Sequence, residues 1–249
     1  MRGFAPIYKR ELFSFFVTPL AWVVMTAFLV IQGLHFYLVL ANFAAQGVSV
    51  SADAGPVQTF FGQTVFLYIP LFFVCPVLTM RLFAEERRSG TIEPLLTAPV
   101  TSTGVVLGKY AAVLTAYVVM WAPTAAYMWI VSGAGDLDWH VVGTGYLAVF
   151  VVGAGYLALG TMTSAVTKSQ LAAAITSAMV IMALFILGVG EVVLPEGTGR
   201  DLCSYLSVWS QMNDFSRGIV DSRRLAFDLT LVALPLFVTV RALDSWRDE

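Results

Sequence analysis

Charge is scarce in this chain. Only 12% of its 249 residues are Asp, Glu, Lys or Arg, where a soluble domain carries about 25%. So few charges cannot cover a water-soluble globule of this size. Cysteine is equally scarce, with only Cys75 and Cys203 present, which excludes a secreted disulfide scaffold. A basic excess is missing: the net charge is −2 and the pI is near 5.7, so no nucleic-acid partner is expected. The two histidines, His35 and His140, stand in different segments. A metal site needs clustered ligands, so both are expected to be packed or interfacial. Nucleotide motifs are missing too. Gly104-Val105-Val106-Leu107-Gly108-Lys109-Tyr110 is one residue short of a P-loop and has Tyr where Ser or Thr must reach Mg²⁺. Gly153-Ala154-Gly155-Tyr156-Leu157-Ala158 imitates a dinucleotide fingerprint but lies inside an uncharged apolar run, where close helix packing explains it. No Gly-x-Ser-x-Gly occurs, which leaves Ser132 and Ser177 poor candidates for an intramembrane protease nucleophile. No catalytic, cofactor-binding or metal-ligating residue is therefore assigned, and the chain is not expected to be an enzyme.

What the chain has is apolar length: 58% of residues are hydrophobic, 13% are aromatic and the mean hydropathy is +0.80. A helix crossing hydrocarbon needs about 20 apolar residues. Intervals between charges supply that length repeatedly, as in the 26 residues between Lys109 and Asp136 and the 22 between Lys168 and Glu191. The spacing predicts spans near 20–43, 59–81, 104–132, 139–167, 170–193 and 225–243. The opening Tyr8-Lys9-Arg10-Glu11-Leu12-Phe13 mixes charge with aromatics and stops at Pro19, which predicts a helix over 4–18 lying in the interface. The run that follows is too long for the apolar core of a cleavable signal.

Lys and Arg set the orientation. With the N-terminus inside, ten of the fourteen (Arg2, Lys9, Arg10, Arg81, Arg87, Arg88, Lys109, Lys168, Arg241 and Arg247) fall on the inner side. Both termini are then cytoplasmic. Cys75 falls toward the inner end of the second span and Cys203 in an outer loop, so no disulfide joins them. The spans hold almost no ionisable groups, which argues against an ion-coupled carrier. Lys109 and Asp228 are expected near span ends, reaching water. Small residues on span four (Gly153, Gly155, Gly160, Ser164) and span five (Ala172, Ala173, Ala174, Ser177, Ala178) permit close helix approach, within the chain or between subunits.

Two segments exceed simple turns. The outer stretch 194–224 carries Trp209, Phe215, Arg217, Gly218 and Ile219 and is expected to fold back onto the membrane, with Trp209 and Phe215 capping an outer exit. The inner stretch 82–103 holds Glu85-Glu86-Arg87-Arg88, then Ser89-Gly90-Thr91. Gly90 is placed to end a helix and Thr91 to cap another. Ile92, Leu95 and Leu96 share one face by helical spacing, and Pro99 closes the segment. A charged extension of span two followed by a short amphipathic helix is expected, more than a topology signal requires.

The run Glu85-Glu86-Arg87-Arg88-Ser89-Gly90-Thr91-Ile92-Glu93-Pro94-Leu95-Leu96-Thr97-Ala98-Pro99-Val100, followed by Leu107-Gly108-Lys109, resembles the intracellular loop of ABC-2 type permeases. Tyr8-Lys9-Arg10-Glu11-Leu12 to Pro19-Leu20-Ala21-Trp22, Phe215-Ser216-Arg217-Gly218-Ile219-Val220-Asp221, and Val240-Arg241-Ala242-Leu243 to Trp246-Arg247 are similar to the family's N-terminal, outer and C-terminal segments. The gliding-motility-associated and copper-enzyme-maturation branch is the most similar. The resemblance implies an all-α polytopic membrane protein: one transmembrane domain over 1–249 with six transmembrane helices, an interfacial helix and a short cytoplasmic coupling helix. It implies a permease subunit in the bacterial cytoplasmic membrane, with a second permease subunit, identical or paralogous, beside it. Two cytoplasmic ATPase subunits, which bind the ATP and Mg, would supply the work, and an outer-facing accessory subunit is a further candidate partner. Ile92, Glu93, Leu95 and Leu96 would make the docking contact, on a base of Glu85, Glu86, Arg87 and Arg88. The expected work is export or extraction of a substrate. The alternative is a complex that uses ATPase strokes to act on an envelope partner without moving cargo.

Overall fold

The computed structural model describes residues 3–45, 55–62, 64–91, 99–133, 135 and 137–248. Every regular element among them is helical. In chain order they are α1 (Phe4–Val17), α2 (Pro19–Ala45), α3 (Pro56–Gly62), α4 (Tyr68–Thr79), α5 (Ala84–Ser89), α6 (Ser102–Trp121), α7 (Ala125–Ser132), α8 (Trp139–Val166), α9 (Gln170–Val193), α10 (Thr198–Leu206), α11 (Val208–Ser216) and α12 (Ser222–Asp248). Six stretches are long and apolar enough to cross a membrane: Pro19–Ala45, Val65–Ser89, Ser102–Ser132, Trp139–Val166, Gln170–Val193 and Ser222–Arg247. The chain is an all-α polytopic membrane protein.

The elbow between α1 and α2 follows from Pro19. A residue before proline is driven to extended backbone, and Thr18 takes φ −79° and ψ 129°. Its hydroxyl donates to Ser14 O at 2.7 Å and accepts from Arg81 Nη2 at 2.8 Å, while Trp22 Nε1 donates to Phe16 O at 2.8 Å. The turn is thus tied to the second span from its first residues.

The second span differs from its predicted bounds of 59–81. Thr64 is extended, with φ −124° and ψ 140°, and it separates α3 from the span. The predicted span runs through Gly62-Gln63-Thr64, the short polar interruption at which the helix breaks. A turn at Met80–Phe83 interrupts the same span again. The amides of Phe83 and Ala84 donate to Ser164 Oγ at 3.1 and 3.2 Å, and that hydroxyl donates to Met80 O at 3.1 Å. One serine of span four therefore satisfies the backbone that the turn leaves open. Span three is broken at a 3₁₀ turn, Ala122–Thr124, because Pro123 has no N–H to return to the preceding turn.

Spans two, three and four form the centre, with 61%, 61% and 67% of their apolar windows buried, against 28%, 22% and 22% for spans one, five and six. Gly153, Gly155 and Gly160 of span four pack within the chain. A Cβ on Gly153 would meet Tyr117 of span three, one on Gly155 would meet Leu231 of span six, and one on Gly160 would meet Thr79 of span two and Ser177 of span five. On span five, Ala173 and Ser177 are buried whereas Ala172 is exposed. Both cysteines are free, Cys75 buried in α4 and Cys203 on α10 against Gly190.

Candidate functional site: the charged end of the bundle

α5 reads Ala84-Glu85-Glu86-Arg87-Arg88-Ser89, with acids in its first turn and bases in its last, as the helix dipole favours. Gly90 ends it in the left-handed conformation at φ 72°, which a glycine adopts without strain. Ser89 Oγ donates to Glu85 O at 2.9 Å and meets Thr91 Oγ1 at 2.8 Å. Ile92, Glu93, Leu95 and Leu96, the predicted docking contact, lie outside the described residues.

The four charges divide by face. Glu85 and Arg88, three apart and on one side of the helix, are exposed. Glu86 and Arg87 turn inward and are held from opposite directions. Glu86 Oε1 accepts from Lys109 Nζ at 2.9 Å and from Arg10 Nη2 at 3.0 Å. Lys109 Nζ also donates to Glu11 Oε1 at 3.1 Å and to Leu82 O at 2.7 Å. Its three N–H groups thus meet three acceptors, and its side chain is only 1% exposed. Phe83 presents its ring 5.2 Å from the ammonium. Arg10 closes the cluster by donating to Glu11 Oε1 at 2.7 Å. Two cations face two anions, which is the condition under which buried charge is tolerated. Burial pushes the Glu11 carboxyl up, but Lys109 and Arg10 outweigh it and hold the group below the ordinary carboxylate range.

On the other side, Arg87 Nη1 donates to Ala165 O at 2.9 Å and Val166 O at 3.3 Å, the carbonyls that end span four. Its guanidinium lies 4.4 Å from the Trp246 ring on α12. Arg247 Nη2 donates to Val100 O at 3.0 Å. α1 lies along α6 because Gly108 admits Ile7 and Phe4 at close range, and Tyr8 Oη meets Thr115 Oγ1 at 3.1 Å. In the pair Gly108-Lys109 the glycine lets α1 approach and the lysine fixes it there. α5 is thus linked to α1 and span three through Glu86, and to spans four and six through Arg87.

Two sequence expectations are corrected here. Lys109 does not reach water, because Glu11 and Glu86 come to it from 98 and 23 residues away and enclose it. Asp228 is likewise only 3% exposed: α11 covers it, and Gln211 Nε2 donates to its Oδ2. The bundle therefore does contain buried charge. Sequence reasoning missed Arg10, Glu11 and Lys109 as members of the α5 site. The available signal was a lysine directly after a small residue in an apolar run.

At the opposite end, 194–224 folds back as α10 and α11, with α11 packed on α3 and α8. Ser207 caps α11, accepting from Ser210 N at 3.2 Å. Trp209 stacks on Tyr68 at 5.3 Å and is partly exposed. Phe215 is 0% exposed, a core side chain rather than the rim of an exit, because α11 turns it onto the bundle. Arg217 is exposed, and Gly218, at φ 81°, sits against His140. Arg224 pairs with Asp214 at 3.1 Å. Among the described residues no group of three or more His, Cys, Asp or Glu could hold a metal.

A search of curated proteins finds no match to this sequence. A family model described as ABC-2 family transporter protein matches residues 5–197, which is 193 of the 249 residues and takes in α1, α5, the Lys109 cluster and five of the six spans. The chain therefore belongs to the ABC-2 transporter family, as a multi-pass membrane subunit.

Proposed function

We propose that this subunit is a gate worked from outside itself. Two separate ATPases, which bind the ATP and Mg, dock at 85–96 on the cytoplasmic side of the bacterial inner membrane. Both termini lie on that side, and a second permease subunit stands alongside. The complex exports or extracts a substrate, and the chain carries no catalysis of its own. The gliding-motility and copper-enzyme-maturation branch is the proposed subfamily. The observation that carries this is the division of α5. Glu85 and Arg88 are presented outward, while Glu86 and Arg87 are bonded to α1 and α6 and to the ends of span four and α12. A helix so arranged takes a load on one face and delivers it to the bundle on the other. Rocking of packed spans about a shared face then alternates access.

The test is affinity purification in detergent with mass spectrometry of the partners. An ATPase is expected with the wild-type chain. Reversing the exposed pair, Glu85→Lys with Arg88→Glu, should lose the ATPase while lowering the thermal midpoint only by the small cost of two charges placed against the helix dipole. Glu93→Lys should leave the complex assembled but uncouple ATP turnover. Recovery of the chain free of any ATPase, or hydrolysis of nucleotide by the chain alone, would overturn the proposal. An outer-facing protein recovered on 194–224, with no cargo moved, favours the force-transmitting alternative.

A further inference from the structure

α1 is polarised twice, once around its axis and once along it. Around the axis, Ile7 and Phe15 are buried, with Ile7 set against Gly108 of α6. Pro6, Lys9, Arg10, Phe13, Ser14 and Val17 are exposed. Those six follow the i, i+3, i+4, i+7, i+8, i+11 pattern of a single helix face. Glu11, the one acid between positions 3 and 18, is turned to Lys109 at 3.1 Å. The outward face therefore carries two cations and no anion, in a chain whose net charge is −2.

Along the axis, the cations come first and the large apolar side chains last. Lys9 neighbours Phe13, and Phe13 neighbours Val17, each four residues on. Phe13 and Val17 project outward at the end of α1 that joins the first span, and the exposed apolar surface continues there through Leu20, Trp22 and Val23 of α2. A helix that merely rests in the interface divides polar from apolar around its axis. Here the exposed face is itself divided, in the order of a phospholipid: charged headgroup, then acyl chain. A cationic pair without an acid complements a headgroup of net negative charge better than a zwitterionic one. Arg10 is held ready for it. Both of its bonds, to Glu11 at 2.7 Å and to Glu86 at 3.0 Å, pass through Nη2, and its side chain is still 55% exposed. A planar guanidinium also matches the oxygens of a phosphate.

We propose that the outward face of α1 binds an anionic phospholipid, with the phosphate at Lys9 and Arg10 and an acyl chain along Phe13 and Val17. The site depends neither on the ATPase docking proposed above nor on which side of the membrane α1 lies.

The purified full chain in phosphatidylcholine nanodiscs tests it. The discs are doped with phosphatidylglycerol carrying an acyl-chain diazirine, or with phosphatidylcholine carrying the same group, and photo-adducts are located by mass spectrometry. Adducts on 4–18 are expected several-fold more often from the phosphatidylglycerol. Lys9→Gln, which leaves the contacts among Glu11, Lys109 and Glu86 in place, should cut that excess about fivefold, equivalent to ~1 kcal/mol. Raising the salt should reduce it as well. Lys168→Gln removes another exposed cation, in the turn between α8 and α9, and should leave the α1 adducts unchanged. The proposal is overturned if α1 takes both lipids equally, if the excess is indifferent to Lys9→Gln, or if Lys168→Gln removes it to the same extent.

Discussion

Lys109 and Asp228 look alike in the sequence, each a single charge near the end of an apolar run, yet the bundle treats them differently. Lys109 is met by two carboxylates and a carbonyl from two separate places in the chain, Glu11 on α1 and Leu82 with Glu86 at the inner end of span two. Asp228 is met by one amide, with Arg224 one turn away on its own helix and engaged with Asp214. The lysine joins elements that are distant in sequence into one body, whereas the aspartate pins a short helix to its neighbour. A buried charge with several opposite partners ties distant parts together. One held by a neutral group fastens locally.

The contrast is broken most severely at the lysine. Lys109→Met leaves Glu11 and Glu86 facing each other with only the half-exposed Arg10 between them. Removing one partner of a buried pair costs about 3–5 kcal/mol, so the thermal midpoint in detergent should collapse. Acid attacks the same cluster from the other side. Glu11 is held below its ordinary range, so its contribution is complete above the unfolded carboxylate value, about 4.5. It is lost as pH falls through the lower folded value. Thermal midpoints measured downward from pH 5 should therefore drop, and Glu11→Gln should flatten that limb. At the aspartate, Asp228→Leu strands the Gln211 amide and should cost about 1–3 kcal/mol, while Asp228→Asn preserves an acceptor and should cost less than about 1 kcal/mol. If Asp228→Asn proved as damaging as Lys109→Met, the two charges would be equivalent and the distinction wrong. The smallest effect is expected at Trp246→Leu, which removes the ring beside Arg87, worth about 0.5–1 kcal/mol, and should be seen as a small shift in the same melt.

The spans were legible because charge is so rare that each interval between charges nearly measures a membrane. The elbow at Pro19 was legible because proline dictates the conformation of the residue before it. Gly90 marked the end of α5 for a similar local reason. The break at Thr64 was overlooked, because the absence of charge across Phe60-Phe61-Gly62-Gln63-Thr64-Val65-Phe66 outweighed the one local signal, Gly62 before two polar residues. The Lys109 cluster was hidden because pairing across 98 residues is a property of packing and not of spacing. The charged quartet was seen as a unit, but its division into an outward and an inward pair depends on where α1, α6, α8 and α12 stand around it. Phe215 was misjudged for the same reason: an aromatic residue in a loop and one in a core look identical until the loop folds.

The Thr18 elbow carries a mechanical consequence. Arg81 grips it from span two, while Phe13 and Val17 of α1 project outward, 72% and 62% exposed. α1 therefore cannot slide along the membrane normal without dragging the second span. In a bilayer thicker or thinner than the bundle prefers, the mismatch must be absorbed by tilting the whole assembly or by reshaping the surrounding lipid. Acyl-chain length would then act on the tilt of the whole subunit and not on α1 alone.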